Sequence, residues 1–156
     1  MLIAVLPGHE NPFLFSIGIF SSYFVIGGFR SKKYARENVN LNFDKLVSAA
    51  MFVTGLVMIA FPIVLYGKIN IVLTVFGIGG IFSAIMDFRS YKNIDRLRLN
   101  WLPSHIGKMM GGYISASTAF VVVNQLLPGI WAWFGPTIPG TIFIIFWIRK
   151  VKATNK

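Results

Sequence analysis

Long apolar stretches alternate with short polar stretches along almost the whole chain. Each apolar stretch has 17 to 21 residues, and about 20 residues of α-helix cross the roughly 30 Å of hydrocarbon in a bilayer. The pattern therefore predicts an all-α integral membrane protein, a five-transmembrane-helix bundle that forms a single domain over residues 1–156. The predicted helices lie at about 13–29, 46–66, 69–86, 104–124 and 130–148.

The fifth stretch contains the helix-disturbing residues Pro136, Pro139 and Gly140. Each proline removes a backbone donor and frees a carbonyl one turn earlier. Inside a membrane a freed carbonyl needs another partner, so we expect either a kink or a broken helix that lines a binding cavity. Such a cavity would lie between the fourth and fifth helices, with Tyr113 and Thr137 among its polar groups.

The composition agrees with a membrane protein. Hydrophobic residues make up 55% of the chain and charged residues 13%, and the charged share is about half that of a soluble domain. There are no cysteines, which excludes disulfides, thiolate chemistry and cysteine-based metal or iron–sulfur sites. The N-terminal segment lacks the basic region and small-residue cleavage site of a signal peptide.

Basic residues are concentrated in alternate polar segments. Thirteen of the 15 Lys and Arg residues lie in segments 30–45, 89–98 and 149–156, and the two loops between them carry only Lys68. The positive-inside rule then predicts an N-terminus outside and a C-terminus inside. The net charge of +10 favours anionic lipid headgroups as partners. It does not favour nucleic acid, because the basic residues lie in short loops without a reading element.

The predicted fourth helix carries small residues at intervals of four, which let two helices approach closely in lipid. We therefore expect it to be the most buried helix of the bundle, with Gly111 and Ser115 against another backbone. The expected helix-packing residues are Gly107, Gly111, Ser115 and Ala119. A second face of the same helix carries His105, Met109 and Gly112.

His105 is the one histidine expected near the inner interface of the membrane. It is a candidate haem or metal ligand, a candidate proton relay, or a structural hydrogen-bonding group. Met109 lies on the same helix face, so the two side chains cannot bind opposite sides of one haem. Asp87 is the most deeply placed acid, and we expect it to pair with Lys108 or His105, in a structural or a proton-linked role.

No catalytic motif is visible: the chain has no Ser-His-Asp order, no His-Glu-x-x-His, no phosphate loop and no paired acids. No metal site is predicted, and no cofactor, with haem the weaker alternative. The candidate functional residues are Asp87, His105, Lys108, Met109, Tyr113 and Thr137.

The run HIGKMMGGYISASTAFVVVN from His105, followed by LPGIWAWFGPTIPGTIFIIFWIRK, resembles the C-terminal part of a family of small bacterial integral membrane proteins of unknown function. The shared pattern is His, a basic residue and Met, then Gly-x-Tyr-Ile, Thr-Ala-Phe-x-Val-Val-Asn, Trp and Pro-Thr. The preceding helix pair, which Asp44 opens and Asp87 closes, is similar to that family too. The resemblance implies a multi-pass protein of the bacterial cytoplasmic (inner) membrane, and it implies no activity.

The chain also contains a faint repeat, because the tripeptide Phe29–Ser31 recurs at Phe88–Ser90, and Gly18-Ile19 recurs at the same offset. Both copies belong to helices that run from outside to inside, so a duplication would produce parallel repeats. The alternative is a chance match between short apolar sequences.

Three functions remain open. The first is a non-enzymatic structural or accessory subunit that forms a homo-oligomer or packs with other membrane subunits, which the small-residue ladder and the lack of a catalytic motif favour. The second is a small transporter, or a lipid- or quinone-binding protein, that uses the cavity between the fourth and fifth helices. The third is a haem-binding redox protein.

Overall fold

The computed structural model describes residues 12–36, 39–129 and 131–154, and within these ranges the chain is helical with no strand. Five of its helices are long and apolar enough to cross a membrane, which confirms the predicted number of long apolar helices. The helices are α1 (Pro12–Ser31), α2 (Asn42–Tyr66), α3 (Ile71–Ser90), α4 (Ile94–Leu99), α5 (Trp101–Val123) and α6 (Trp131–Thr154), with a 3-10 turn at Lys32–Ala35.

The helix ends follow from local chemistry. α2 ends at Gly67, whose left-handed φ of 61° lets its N–H bond to the Ile63 carbonyl. The side chain of Asn70 then accepts a hydrogen bond from the Leu73 N–H, 3.2 Å away, and caps the start of α3. The side chain of Asn93 likewise accepts a hydrogen bond from the Arg96 N–H, 2.9 Å away, and caps the start of α4. That cap starts α4 inside a segment that the sequence had indicated to be a polar loop, so the loop prediction was wrong there.

The fifth span is one continuous helix, α6, despite Pro136 and Pro139. The hydroxyl of Thr137 donates to the carbonyl of Trp133 at 2.7 Å, one turn back in the helix. A kink or a broken helix was expected from the prolines. The helix is not broken between Trp131 and Thr154.

The helix at the centre of the bundle is α1, which packs against α5, α2 and α3. α5 packs mainly against α1 and α6, and among the described elements α6 packs only against α5. The expectation that α5 is the most buried helix was therefore wrong: 33% of the α1 span is buried, against 22% for α5. On the faces that no other helix covers, α5 leaves Tyr113 and Phe120 exposed.

Glycines mark the closest helix contacts. Gly55 of α2 and Gly77 of α3 face each other so tightly that a Cβ on Gly77 would lie 2.7 Å from the Gly55 carbonyl oxygen. Between α1 and α5, a Cβ on Gly28 would lie 2.8 Å from the Met109 sulfur. These contacts set the distances between α2 and α3 and between α1 and α5, because no side chain fits at either point.

The predicted packing residues of α5 contact two different helices. Gly107 faces Ile148 of α6, whereas Gly111 faces the ring of Phe24 in α1. The Ser115 hydroxyl accepts a hydrogen bond from Ser21 of α1 at 3.1 Å.

Ala119, the last residue of the ladder, is buried. The small residue nearest the α1 backbone is Gly112, where a Cβ would lie 3.6 Å from the Ser21 carbonyl oxygen. Gly111 is therefore not the point of backbone contact that the sequence had indicated. The reason is that α5 turns its His105–Met109–Gly112 face toward α1.

The two copies of the Phe-Arg-Ser tripeptide close α1 and α3. Contacts of Tyr23 in α1 with Asp87 in α3 place both helix ends at the same end of the bundle. Gene duplication stays a prediction.

Candidate functional site at the basic end of the bundle

One end of the bundle collects most of the polar chemistry. Here α1 and α3 finish and α2 and α5 begin, and the basic segments 30–45 and 89–98 belong to it. We call it the basic end. Two buried carboxylates lie there, Asp44 and Asp87, and each is paired with a cation from another helix.

The Asp87 carboxylate is the point at which four long helices, α1, α2, α3 and α5, come together. Its Oδ2 accepts hydrogen bonds from the Tyr23 hydroxyl of α1 at 2.6 Å and from the Lys108 ammonium of α5 at 2.7 Å. Ser48 of α2 donates from 3.4 Å and Tyr91, at the end of α3, from 3.5 Å. The predicted pairing of Asp87 with Lys108 is confirmed. A carboxylate with this many donors is compensated for its removal from water.

Lys108 reaches Asp87 by passing over α1. A Cβ on Gly27 would lie 3.0 Å from the Lys108 nitrogen and 3.1 Å from its Cδ. A larger residue at Gly27 would therefore displace the lysine stem. The absence of a side chain at this position is what brings a cation of α5 to an acid of α3.

The second carboxylate, Asp44, joins α2 to α1. Arg30 donates to both of its oxygens, at 2.7 Å from Nε and 2.6 Å from Nη2, and Tyr34 donates from 3.0 Å. The guanidinium also lies 4.5 Å from the centre of the Phe43 ring. Two parallel bonds of this kind are the strongest ion-pair geometry in proteins. From the sequence, Asp44 was expected only to open a helix.

An aromatic cluster fills the space between the two carboxylates. Tyr34 and Tyr91 pack edge to face with ring centres 6.5 Å apart, beside the buried Leu41 and Leu97. Burial, and then the nearby Asp87 charge, raise the pKa of Tyr91. Its hydroxyl therefore stays protonated and remains a hydrogen-bond donor at any physiological pH.

His105 is bound by the backbone of α1. Its Nδ1 lies 2.7 Å from the carbonyl oxygen of Gly28, in the last turn of α1. Carbonyls near the C-terminus of a helix carry partial negative charge. An N–H of His105 donates to this one, which fits the structural hydrogen-bonding role considered for this residue. His9 lies outside the described residues.

The remaining candidate residues do not form one site. Met109 packs its sulfur on Gly28. Tyr113 is 67% exposed on the bundle surface, whereas Thr137 lies 3.5 Å from Thr118 in the α5–α6 contact. In the described part of the chain, no group of three or more His, Cys, Asp or Glu side chains lies close enough to hold a metal ion.

Sequence reasoning did not identify Tyr23, Ser48 and Tyr91 as partners of Asp87. The signal was weak but present, because Tyr23 and Ser48 are polar residues inside apolar spans on the basic side. Polar side chains at such positions hydrogen-bond across helices. Their common partner follows only from the way the four helices pack.

The bond from His105 to Gly28 leads to a prediction. His105→Gln should keep fold and assembly, because its amide can donate to the same carbonyl, with a loss of at most about 1 kcal/mol. Thermal unfolding of the purified variant measures this. Metal analysis and visible spectra of the wild-type protein should show no bound haem or metal. A stoichiometric haem or metal that disappears in the variant would contradict the structural role.

Comparison of the chain with protein-family models, with curated proteins and with solved structures finds no match. Any functional conclusion therefore rests on the residues and contacts described above.

Proposed function

We propose that this protein is a non-enzymatic integral membrane protein that serves as a structural or accessory subunit, packing with a second copy or with a larger membrane complex. The observation that carries the proposal is the position of α6. This helix contacts only α5 among the described elements, and 6% of its span is buried. A helix attached on one side leaves the rest of its surface free to contact acyl chains or another membrane protein.

The state of the polar side chains supports a structural role. Asp87 and Asp44 are each saturated by a cation and at least one tyrosine, and His105 is bound to a backbone carbonyl. Groups that act as acids, bases or nucleophiles need access to a substrate. These groups contact their own bundle instead, where they hold helices at fixed positions.

We further propose that the chain lies in a bacterial inner membrane with its basic end in the cytoplasm. The N-terminus is then outside and the C-terminus inside. Segments 30–45 and 89–98 lie at one end of the described bundle, and the end of α6, with Arg149, Lys150 and Lys152, joins them. An excess of Lys and Arg on one side is typical of the cytoplasmic face. The motif from His105 to Trp147 supports membership of the small bacterial family that it resembles.

Site-specific crosslinking tests the proposed role of α6. The chain has no cysteine, so Ile138→Cys or Ile142→Cys introduces a single thiol on an exposed face of α6. A benzophenone maleimide attached to that thiol in native membranes should give a discrete protein adduct on illumination. An adduct of twice the mass indicates a homodimer, and a different discrete mass indicates another subunit.

Val57→Cys is the matched control, because Val57 is similarly exposed on α2. We expect the adduct yield there to be several-fold lower. Equal yields at Val57 and Ile142, or reaction with lipid alone at both, would contradict α6 as the docking helix.

A further inference from the structure

A cleft of about 530 Å³ opens at the basic end, between the end of α3 and the end of α6. α4 and the start of α5 form its other walls. The volume falls in the range of small-molecule sites. Its lining residues are Met86, Arg89, Ser90, Asn93, Arg96, Leu97, Asn100, Ser104 and Lys152.

The charges around this cleft are all positive. Arg89, Arg96 and Lys152 come from α3, α4 and α6, and no carboxylate lines the cleft. Both buried acids are committed elsewhere, Asp44 to Arg30 and Asp87 to Lys108. Three cations converging on one space repel each other unless an anion lies between them. The cleft is therefore complementary to a ligand with more than one negative charge.

An exposed apolar face of α3 reaches the cleft at Met86. α3 and α6 both reach it, yet they make no contact with each other within the described residues. One face of α3 beside this gap is exposed and apolar along its whole length, through Ile71, Val75, Ile78, Phe82 and Met86. These residues recur every three or four positions and so form one stripe, which Arg89 ends at the cleft.

The wall that α5 contributes is made of small residues. Ser104 lines the cleft, and one turn further a Cβ on Gly107 would meet only the tip of Ile148, at 3.9 Å. Small side chains here leave room beside α5. A hydrocarbon chain in this gap would have the α3 stripe on one side and α5 on the other.

We propose that this cleft is a specific site for an anionic phospholipid with two phosphate charges, of the cardiolipin class. The phosphates lie among Arg89, Arg96 and Lys152, and an acyl chain runs along the α3 stripe. Arginine binds phosphate oxygens through two parallel N–H donors. Basic pockets between transmembrane helices on the cytoplasmic side bind such headgroups. A soluble phosphate compound would use the cations but not the apolar stripe, which is why the lipid is favoured.

Lipid competition on the full-length protein tests the site. The variant Arg89→Gln/Arg96→Gln/Lys152→Gln removes the three cations, and Lys32→Gln/Lys45→Gln/Lys92→Gln removes the same charge from exposed positions of the same end. Each protein is placed in vesicles in which cardiolipin and phosphatidylglycerol supply equal amounts of phosphate. Native mass spectrometry of the released protein then measures how much of each lipid stays bound. Each basic contact contributes about five-fold in affinity, so the cleft variant should lose roughly 100-fold of the wild-type affinity for cardiolipin. The control variant should keep it.

A second arm distinguishes lipid from soluble phosphate. Thermal unfolding of delipidated protein in neutral detergent should shift upward on addition of cardiolipin and not on addition of pyrophosphate, and the cleft variant should show neither shift while unfolding at the wild-type temperature. A shift with pyrophosphate equal to that with cardiolipin would overturn the lipid assignment. Equal retention of both lipids by the wild type, or equal loss in both triple variants, would overturn the site.

Discussion

Lys108→Met should destabilise the bundle far more than the substitution of an exposed lysine at the basic end. The change removes the cation that lies 2.7 Å from Asp87 and keeps a similar volume over Gly27. The carboxylate then remains buried with neutral donors alone. Breaking a buried pair from one side costs about 3 to 5 kcal/mol. Unfolding of the purified protein in mixed micelles, followed by helical circular dichroism, measures the loss.

Lys92→Met is the control for this experiment, since Lys92 is exposed beside the same helix end. We expect it to change the free energy of unfolding by less than about 0.5 kcal/mol. If Lys108→Met and Lys92→Met have the same free energy of unfolding, Asp87 does not need its cation.

Gly77→Ala should have the second large effect, although alanine is the better helix former. In an exposed helix that substitution gains about 1 kcal/mol. Here the added Cβ would lie 2.7 Å from the Gly55 carbonyl oxygen and 2.8 Å from Ile59, so α2 and α3 must separate. We expect a net loss of about 2 to 3 kcal/mol, measured by the same unfolding experiment.

Gly79→Ala is the matched control two residues away. Its Cβ would meet only the ring of Phe20, at 3.4 Å, which is an ordinary packing distance. This variant should be as stable as the wild type or slightly more stable. If Gly77→Ala and Gly79→Ala have the same stability, the α2–α3 contact is looser than the structure indicates.

The number and approximate bounds of the spans could be predicted because each one has its own apolar run. The span predicted at 104–124 is α5, Trp101–Val123, and the span predicted at 46–66 is α2, Asn42–Tyr66. Both helices begin before their predicted starts, α2 by four residues and α5 by three. α4 was missed because its six residues have no apolar run, and its signal was the Asn93 cap.

The arrangement of the helices could not be predicted in the same way. In lipid, an apolar helix face looks alike whether it meets acyl chains or another helix. Small residues in α5 suggested a central helix, but the glycines at the closest contacts include Gly28, Gly55 and Gly77, in α1, α2 and α3. The burial of α5 was therefore overestimated from the sequence, and no sequence pattern indicated that α1 is central.

Part of the candidate site was within reach of the sequence. Asp87 and Lys108 both lie near the basic end of spans that follow one another, so their pairing could be expected. The bond between Arg30 and Asp44 was not expected, because a position in the first turn of α2 already explained an acid there. The tyrosine donors depend on the rotation of each helix, which non-local contacts decide.

We infer that the buried charges at the basic end hold the helices together. A double-mutant cycle of Asp87→Asn and Lys108→Met tests it most directly, by comparing the free energies of unfolding of wild type, both single variants and the double variant. We expect the double variant to lose less free energy of unfolding than the two single variants lose together, by about 1.5 kcal/mol or more. The reason is that removing both charges leaves neither of them unpaired. Strictly additive losses would show that Asp87 and Lys108 do not stabilise each other, and would contradict the inference that these charges hold the helices together.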